Sequence, residues 1–155
     1  MKYICAQPAV KYFAWQLDIF IYSLIKNNIK QKDIHIISSI NGNGIDEYFS
    51  VLKEKYPDVL FEFYNDTREY VMYQPSIKPH LMYNHYLKHP ELQQETIMFL
   101  DADVALIKPI DFNGMLNDNI WYLSDTSSYL NYDYIKSKGD DVLNKMLETA
   151  GIDEH

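Results

Sequence analysis

The sequence has little cysteine, no cluster of basic residues and no long apolar run. Cys5 is the single cysteine among 155 residues, which excludes a framework of internal disulfides and favours a reducing compartment. No apolar run approaches the roughly 20 residues that a membrane-spanning helix needs. Gln7 and Pro8 interrupt the first apolar stretch, so the amino terminus does not have the pattern of a signal peptide. We therefore expect a cytoplasmic protein that does not span a membrane.

Positive charge is also scarce. The formal net charge is −8, which argues against a nucleic-acid polymer as the main partner. The same negative field would favour the binding of a divalent cation. With 47% apolar residues, the chain is long enough to bury a hydrophobic core. We predict a single domain over residues 1–155.

Alternating β and α patterns run through the first 64 residues. Three segments rich in β-forming residues predict strands at 2–7, 33–40 and 59–64. Between them, apolar residues at helical spacing predict helices at 10–27 and 45–56. A β-α-β-α-β order calls for right-handed crossovers. The sequence therefore predicts an α/β fold with a mostly parallel sheet flanked by helices.

The pattern continues less regularly towards the carboxyl terminus. We predict a helix from Ser76 to His89 and a last helix over 140–150, with Gly151 as its C-cap. A further strand is predicted at 120–123. The sequence stops four residues after Gly151, at His155. We interpret it either as the N-terminal part of a longer protein or as an unusually small version of the fold.

Two acids interrupt the apolar run from residue 96 to residue 107. Such a run predicts a central strand buried on both faces, which we expect to end at Leu100 and to be followed by a second strand from Val104. Side chains two positions apart on an extended backbone point the same way, so Asp101 and Asp103 would present their oxygens together. Carboxylate oxygens suit Mg²⁺ or Mn²⁺. The alternative is an ordinary surface turn, in which aspartate is common.

The segments around this pair resemble GT-A type glycosyltransferases. MFLDADV at 98–104, followed by IKPI at 107–110, is similar to the strand–DxD–strand core of that fold. YQPSIKP at 73–79 is similar to the lead-in of the branch with the hydroxyproline arabinosyltransferases and peptidyl-serine galactosyltransferases. The resemblance extends over about residues 2–125 and is specific over 73–111. It implies a Rossmann-like fold that binds a nucleotide-diphosphate sugar, and Mn²⁺ or Mg²⁺ at the Asp pair.

Several residues are candidates for holding the donor, for which we favour a UDP-sugar. Lys78 lies at the start of a predicted helix, where the helix dipole and a cation together favour phosphate. The end of the first strand is where a doubly wound sheet receives a nucleotide base. Gln7 there is a hydrogen-bonding group for a uracil edge, and Tyr12 or Tyr73 is a stacking ring for the base. The predicted donor-binding residues are Gln7, Pro8, Tyr73, Lys78, Asp101, Ala102 and Asp103.

The acceptor and the general base are less clearly marked. Asp125 follows the strand predicted at 120–123 and is our candidate for contacting the acceptor. No residue is identified as a general base. The leading hypothesis is a metal-dependent glycosyltransferase, and the alternative is a non-catalytic module of the same fold that binds sugars or partners. A nucleotidyltransferase would carry a glycine-rich loop after the first strand, which the residues at 8–11 do not form.

Overall fold

A computed structural model describes most of the chain, which divides into two units, Met1–Asp111 and Phe112–His155. The described residues are 1–40, 42, 44–112, 116, 120, 122–123, 125–128 and 131–151. The prediction of one domain over the whole chain stays a prediction.

The first unit is built on a four-stranded sheet in which every strand pair is parallel. The strands are β1 (Lys2–Pro8), β2 (Ile34–Ile40), β3 (Leu60–Asn65) and β4 (Ile97–Phe99). Their order across the sheet is β3-β2-β1-β4. The chain thus has the α/β architecture with a Rossmann-like parallel sheet that the sequence predicts. The four carboxyl ends lie along one edge of the sheet.

Three helices connect these strands. They are α1 (Lys11–Lys26), α2 (Tyr48–Lys55) and α3 (Ile77–Lys88). Each is slightly shorter at both ends than the helix predicted from the sequence. Short 3₁₀ turns supplement them at Gln31–Asp33, Gln74–Ser76 and Pro90–Gln94. The turn at Gln74–Ser76 runs directly into α3, so the segment that precedes this helix is already wound when the helix begins.

The core on one face of the sheet lies under α3. Ile4 of β1 and Ile37 of β2 are fully buried there and pack with Leu81 of α3. Because side chains alternate along a strand, Cys5 and Ile36 point to the opposite face, and both are also buried. Full burial of an aliphatic side chain contributes about 1.5–3 kcal/mol. The two inner strands are therefore covered on both faces, as parallel strands require.

The strand that precedes the Asp pair differs from the prediction. β4 pairs only with β1 among the described strands and is an edge strand, with Phe99 39% exposed. The prediction of a central strand buried on both faces was wrong, because an apolar run does not reveal which strands lie beside it.

The second strand predicted from Val104 does not form either. The backbone of Leu106 bonds instead to α1 and the residue after it: its N–H donates to Ser23 Oγ (3.1 Å) and its carbonyl accepts from Asn27 Nδ2 (2.8 Å). These bonds to side chains take the place of pairing with a neighbouring strand. The chain after Asp103 therefore leaves the sheet and crosses the end of α1.

The second unit contains two helices, α4 (Tyr132–Lys136) and α5 (Asp140–Ala150). The predicted helix over 140–150 is confirmed, and Gly151 ends it in the left-handed conformation with φ of 66°. α4 was not predicted from the sequence; Asn131 caps it by accepting a hydrogen bond from the Tyr134 N–H. At 120–123, the described residues have no regular structure, and Trp121 lies outside the described residues.

Candidate functional site

A cleft of about 420 Å³ opens at the carboxyl edge of the sheet, between the ends of β1 and β4. At this point the strand order reverses, because β2 and β3 lie on one side of β1 and β4 lies on the other. Open α/β sheets bind ligands at such a switch point. The cleft is lined by Gln7, Pro8, Tyr12, Phe13, Gln16, Gln74, Pro75, Ile77, Lys78, Asp101 and Asp103.

Both acids of the predicted pair line this cleft. Asp101 and Asp103 follow β4 in a turn that the Val104 N–H closes by donating to the Asp101 carbonyl (3.2 Å). Ala102 between them is buried, so its side chain points away from the cleft that its two neighbours line. The two carboxylates therefore face the same cleft, although the chain forms a turn here and not the extended backbone from which this was predicted.

Lys78 lies in the first turn of α3 and contacts one of these acids. Its Nζ lies 2.5 Å from Asp101 Oδ1, and both side chains are partly exposed. This ion pair joins the start of α3 to the segment after β4. Asp103 is exposed, and its carboxylate is within reach of a ligand in the cleft. The cleft thus holds two acids and one base beside a helix amino terminus.

The opposite wall comes from the end of β1 and the first turns of α1. Gln7 and Pro8 line it, as the sequence predicts, and Tyr12 and Phe13 add aromatic rings. Gln16, which was not predicted from the sequence, also lines the cleft and is 8% exposed. The feature of the sequence that could have identified Gln16 is that it is a polar residue on the apolar face of a predicted helix.

Tyr73 is a predicted donor-binding residue that does not line the cleft. Its side chain is 66% exposed, and its carbonyl accepts from Arg68 Nη1 (2.8 Å). The same Nη1 donates to Ser76 Oγ (2.7 Å), while Nη2 pairs with Asp66 Oδ2 (2.7 Å). Arg68 therefore holds the turn that carries Gln74 into the cleft wall.

Cys5 lies beneath the cleft and is completely buried. Burial raises the pKa of its thiol to about 12; the Gln7 side chain opposes this rise by hydrogen bonding, and Asp101 adds to it. A thiol with such a pKa carries almost no thiolate at neutral pH. Cys5 is therefore a packing residue.

Asp125, the predicted acceptor residue, lies in the second unit. Its Oδ1 accepts a hydrogen bond from the Ser127 N–H (2.9 Å), and bonds from Ser127 lower the pKa of its carboxyl. This local turn accounts for the aspartate without a ligand. A role in binding the acceptor stays a prediction.

The chemistry of the Asp pair is suited to a hard divalent cation. Protein sites for Mg²⁺ often supply only one or two carboxylates, and substrate phosphates and water complete the coordination shell. Across the residues that the structure describes, no group of three or more His, Cys, Asp or Glu side chains could hold a metal ion. Asp101 and Asp103 therefore fit an ion that a bound diphosphate shares, rather than one held by protein ligands alone.

Comparison with known proteins adds no relative. No protein-family model, no curated protein and no solved structure matches this chain. Within the described residues, no helix is both long and apolar enough to cross a membrane.

Proposed function

We propose that this protein is a metal-dependent glycosyltransferase of GT-A type that uses a nucleotide-diphosphate sugar, with a UDP-sugar favoured. The observation that carries the proposal is that Asp101, Asp103 and Lys78 line one cleft with Gln7 and Pro8 at the switch point of a parallel sheet. These residues come from three separate segments. The interrupted apolar run predicts the two acids as metal ligands, the start of α3 predicts Lys78 as a phosphate contact, and the resemblance of residues 73–111 to GT-A enzymes supports the same three residues.

Asp101 and Asp103 would hold Mn²⁺ or Mg²⁺ together with the donor diphosphate. When bound, such an ion offsets the negative charge that develops on the leaving nucleoside diphosphate as the sugar–phosphate bond breaks. The contribution of the chain is to fix two carboxylates at the end of β4, where the turn closed by Val104 N–H keeps them on one side.

Lys78 would bind the diphosphate beside the two acids. It stands in the first turn of a 12-residue helix, where the helix dipole favours an anion. Its ion pair with Asp101 keeps the ammonium group at the acids while the cleft holds no diphosphate. When the metal and the diphosphate bind, the ammonium group would pair with a phosphate oxygen, and the Asp101 carboxylate would bind the cation.

The nucleoside would lie against the β1–α1 wall. Gln7 is 6% exposed and presents an amide for a base edge, and Tyr12 presents a ring that is 61% exposed. Tyr73 and Ala102 complete the proposed donor set, Tyr73 from the exposed turn before α3. Asp125 is the proposed contact to the acceptor.

Calorimetric titration tests this proposal. UDP is titrated into the protein with and without Mn²⁺, and the series is repeated with Asp101→Asn and Asp103→Asn, which keep the side-chain volume. We expect Mn²⁺ to strengthen UDP binding and each substitution to remove most of that gain. Lys145→Met, a change on exposed α5, is the control and should leave it intact. A UDP affinity that changes neither with Mn²⁺ nor with the two substitutions would contradict the proposal that Asp101 and Asp103 hold a metal ion with the diphosphate.

A non-catalytic module that binds the same ligands is the second candidate. The observation in its favour is that, among the described residues, no third metal-binding side chain stands beside Asp101 and Asp103. Release of sugar from UDP-sugars, followed over hours, separates the two candidates. Binding without any turnover favours the module, and metal-dependent turnover favours the transferase.

A further inference from the structure

Gln16 is a buried polar side chain in the wall of the cleft. It is 8% exposed and lines the cleft from the second turn of α1. Its amide forms no hydrogen bond with any residue that the structure describes. Among the described residues, the one buried side-chain polar atom without a partner is Ser38 Oγ, so the Gln16 amide is open to the cleft and is not sealed in the core. An amide that faces the cleft and bonds to no protein group is available to a ligand there.

The surroundings of Gln16 restrict what that ligand can be. Tyr12 and Phe13 precede it on α1, with their ring centroids 5.0 Å apart and their planes nearly perpendicular. Gln7 at the end of β1 contributes a second amide that is 6% exposed. The wall therefore combines aromatic faces with two largely buried amides, while the charged residues of the cleft come from α3 and the segment after β4.

This combination suits a flat heterocycle with hydrogen-bonding groups on its edge. A glutamine amide presents one donor and one acceptor side by side, which matches a neighbouring donor and acceptor on a nucleobase. An aromatic side chain offers a stacking surface for the ring. A diphosphate has only acceptor oxygens and no flat face, so it suits the charged wall instead.

We propose that Gln16 is a specificity-determining residue that reads the nucleobase of the donor. This inference rests on the proposed function and deepens it by assigning the choice of nucleotide to one side chain. Gln16 bonds the base edge, and the diphosphate is held independently by Asp101, Asp103 and Lys78.

The test compares nucleoside diphosphates with inorganic pyrophosphate, which has the diphosphate but no base. Affinities for UDP, CDP, GDP, ADP and pyrophosphate are measured with Mn²⁺ on the unmodified chain and on Gln16→Leu. We expect the unmodified chain to bind one nucleoside diphosphate at least about tenfold more tightly than pyrophosphate. Because two hydrogen bonds are lost, Gln16→Leu should remove about tenfold of that preference and leave the pyrophosphate affinity unchanged.

Two further variants make the test specific. Gln94→Leu is the same substitution at an exposed position in the 3₁₀ turn Pro90–Gln94 and should change neither affinity. Gln16→Glu replaces the donor of the amide by a second acceptor oxygen. It should shift the preference towards bases that offer an amino group, and it provides a second route if Gln16→Leu does not fold.

The outcomes separate this inference from the proposed function. If Gln16→Leu and Gln16→Glu keep the original preference, Gln16 does not read the base. If the unmodified chain binds pyrophosphate as tightly as every nucleoside diphosphate, the inference fails while the metal–diphosphate clamp stands. If it binds neither pyrophosphate nor any nucleoside diphosphate with Mn²⁺, both fail.

Discussion

Lys78 Nζ lies 2.5 Å from Asp101 Oδ1, so the start of α3 and the segment after β4 are joined by opposite charges. The contact uses the same carboxylate that we propose as a ligand for the divalent cation. The ammonium group repels a cation at this carboxylate and already occupies one of its oxygens. Without a diphosphate, Lys78 therefore opposes the binding of the metal ion at Asp101. When a diphosphate is bound, Lys78 pairs with the phosphate and favours binding of the metal together with the diphosphate.

This competition predicts opposite effects of Lys78→Met on two affinities. The affinity for Mn²⁺ alone should rise by up to about fivefold, because a partly exposed ion pair is worth up to about 1 kcal/mol. The affinity for UDP in the presence of Mn²⁺ should fall, because the diphosphate loses a cation. Both affinities can be measured by calorimetry. For Mn²⁺, the loss of the electron paramagnetic resonance signal of the free ion is a second measurement.

Lys11→Met is the matched control for the loss of one positive charge. Lys11 lies in the first turn of α1, with its Nζ 4.7 Å from the centroid of the Tyr48 ring. Lys11→Met should raise the Mn²⁺ affinity much less than Lys78→Met does. Equal changes in both variants would mean that general charge, and not the Lys78–Asp101 contact, controls the binding of the ion.

Cys5 provides a test of the cleft floor. The side chain is fully buried and its pKa is raised to about 12, so it should not react with iodoacetamide at pH 8 in the folded protein. In denaturing urea it should be alkylated completely, which mass spectrometry detects as one adduct per chain. Rapid alkylation without denaturant would show that the floor beneath Gln7 and Asp101 opens in solution.

Two buried histidines predict how stability depends on pH. His35 Nδ1 and His85 Nε2 lie 3.0 Å apart, and the Tyr64 hydroxyl lies 2.7 Å from His85 Nδ1. Burial is the main cause that lowers the pKa of each histidine from 6.5 to about 4. Neighbouring basic groups lower it further: Lys2 and His89 for His35, and His35 and His89 for His85. Both rings are therefore neutral in the folded protein at neutral pH.

The direction of the effect follows from proton uptake. Above pH 6.5 the histidines are neutral in both states and contribute no pH dependence. As the pH falls from 6.5 towards 4, the unfolded chain binds protons that the folded chain does not, so stability falls. At pH 5 the loss should be about 2 kcal/mol for each histidine. Urea unfolding between pH 7 and pH 5 measures it.

The chosen pH range keeps carboxylates out of the measurement. The carboxyl groups of Asp18, Glu62 and Asp66 have lowered pKa values, so their contribution to stability is lost at pH values below this range. His35→Phe should flatten the dependence by about half, whereas His80→Gln, at a partly exposed position, should leave it in place. A wild-type stability that is constant from pH 7 to pH 5 would contradict a neutral buried pair.

The positions of most strands and helices could be predicted from the sequence, because the residue patterns that indicate them lie within each segment. Segments rich in β-forming residues and helical apolar spacing located the first three strands, α1 and α2, and Ser76 marked the start of α3. The position of β4 could not be predicted in this way. Whether an apolar segment is central or at an edge depends on residues far along the chain, here on the pairing of β1 with Ile97–Phe99.

The same distinction holds for the cleft. The charged wall could be predicted because Asp101, Asp103 and Lys78 carry groups whose chemistry is specific. Gln16 could not, because a glutamine among Phe13, Leu17 and Phe20 reveals its role only when the cleft beside it is known. The histidine pair joins β2 to α3, at residues 50 positions apart, and no spacing rule connects them.

Arg68 gives a prediction about how the cleft wall is held. Its guanidinium is 8% exposed and donates to Asp66, to the Tyr73 carbonyl and to Ser76 Oγ. Arg68→Leu leaves the Asp66 carboxylate, which is 14% exposed, without its cation. We expect a loss of about 2 kcal/mol or more in the free energy of unfolding.

The conservative variant and a matched ion pair define the cause. Arg68→Lys should recover little of the loss, because an ammonium group cannot reproduce the planar fork that reaches three partners at once. Lys145→Met breaks the exposed ion pair with Glu148 and should cost less than about 0.5 kcal/mol.

Because Arg68 fixes the turn before α3, Arg68→Leu should also weaken UDP binding at a temperature where the variant is still folded. An Arg68→Leu variant as stable as the original chain, with unchanged UDP affinity, would mean that the turn carrying Gln74 is held by the sheet and α3 alone.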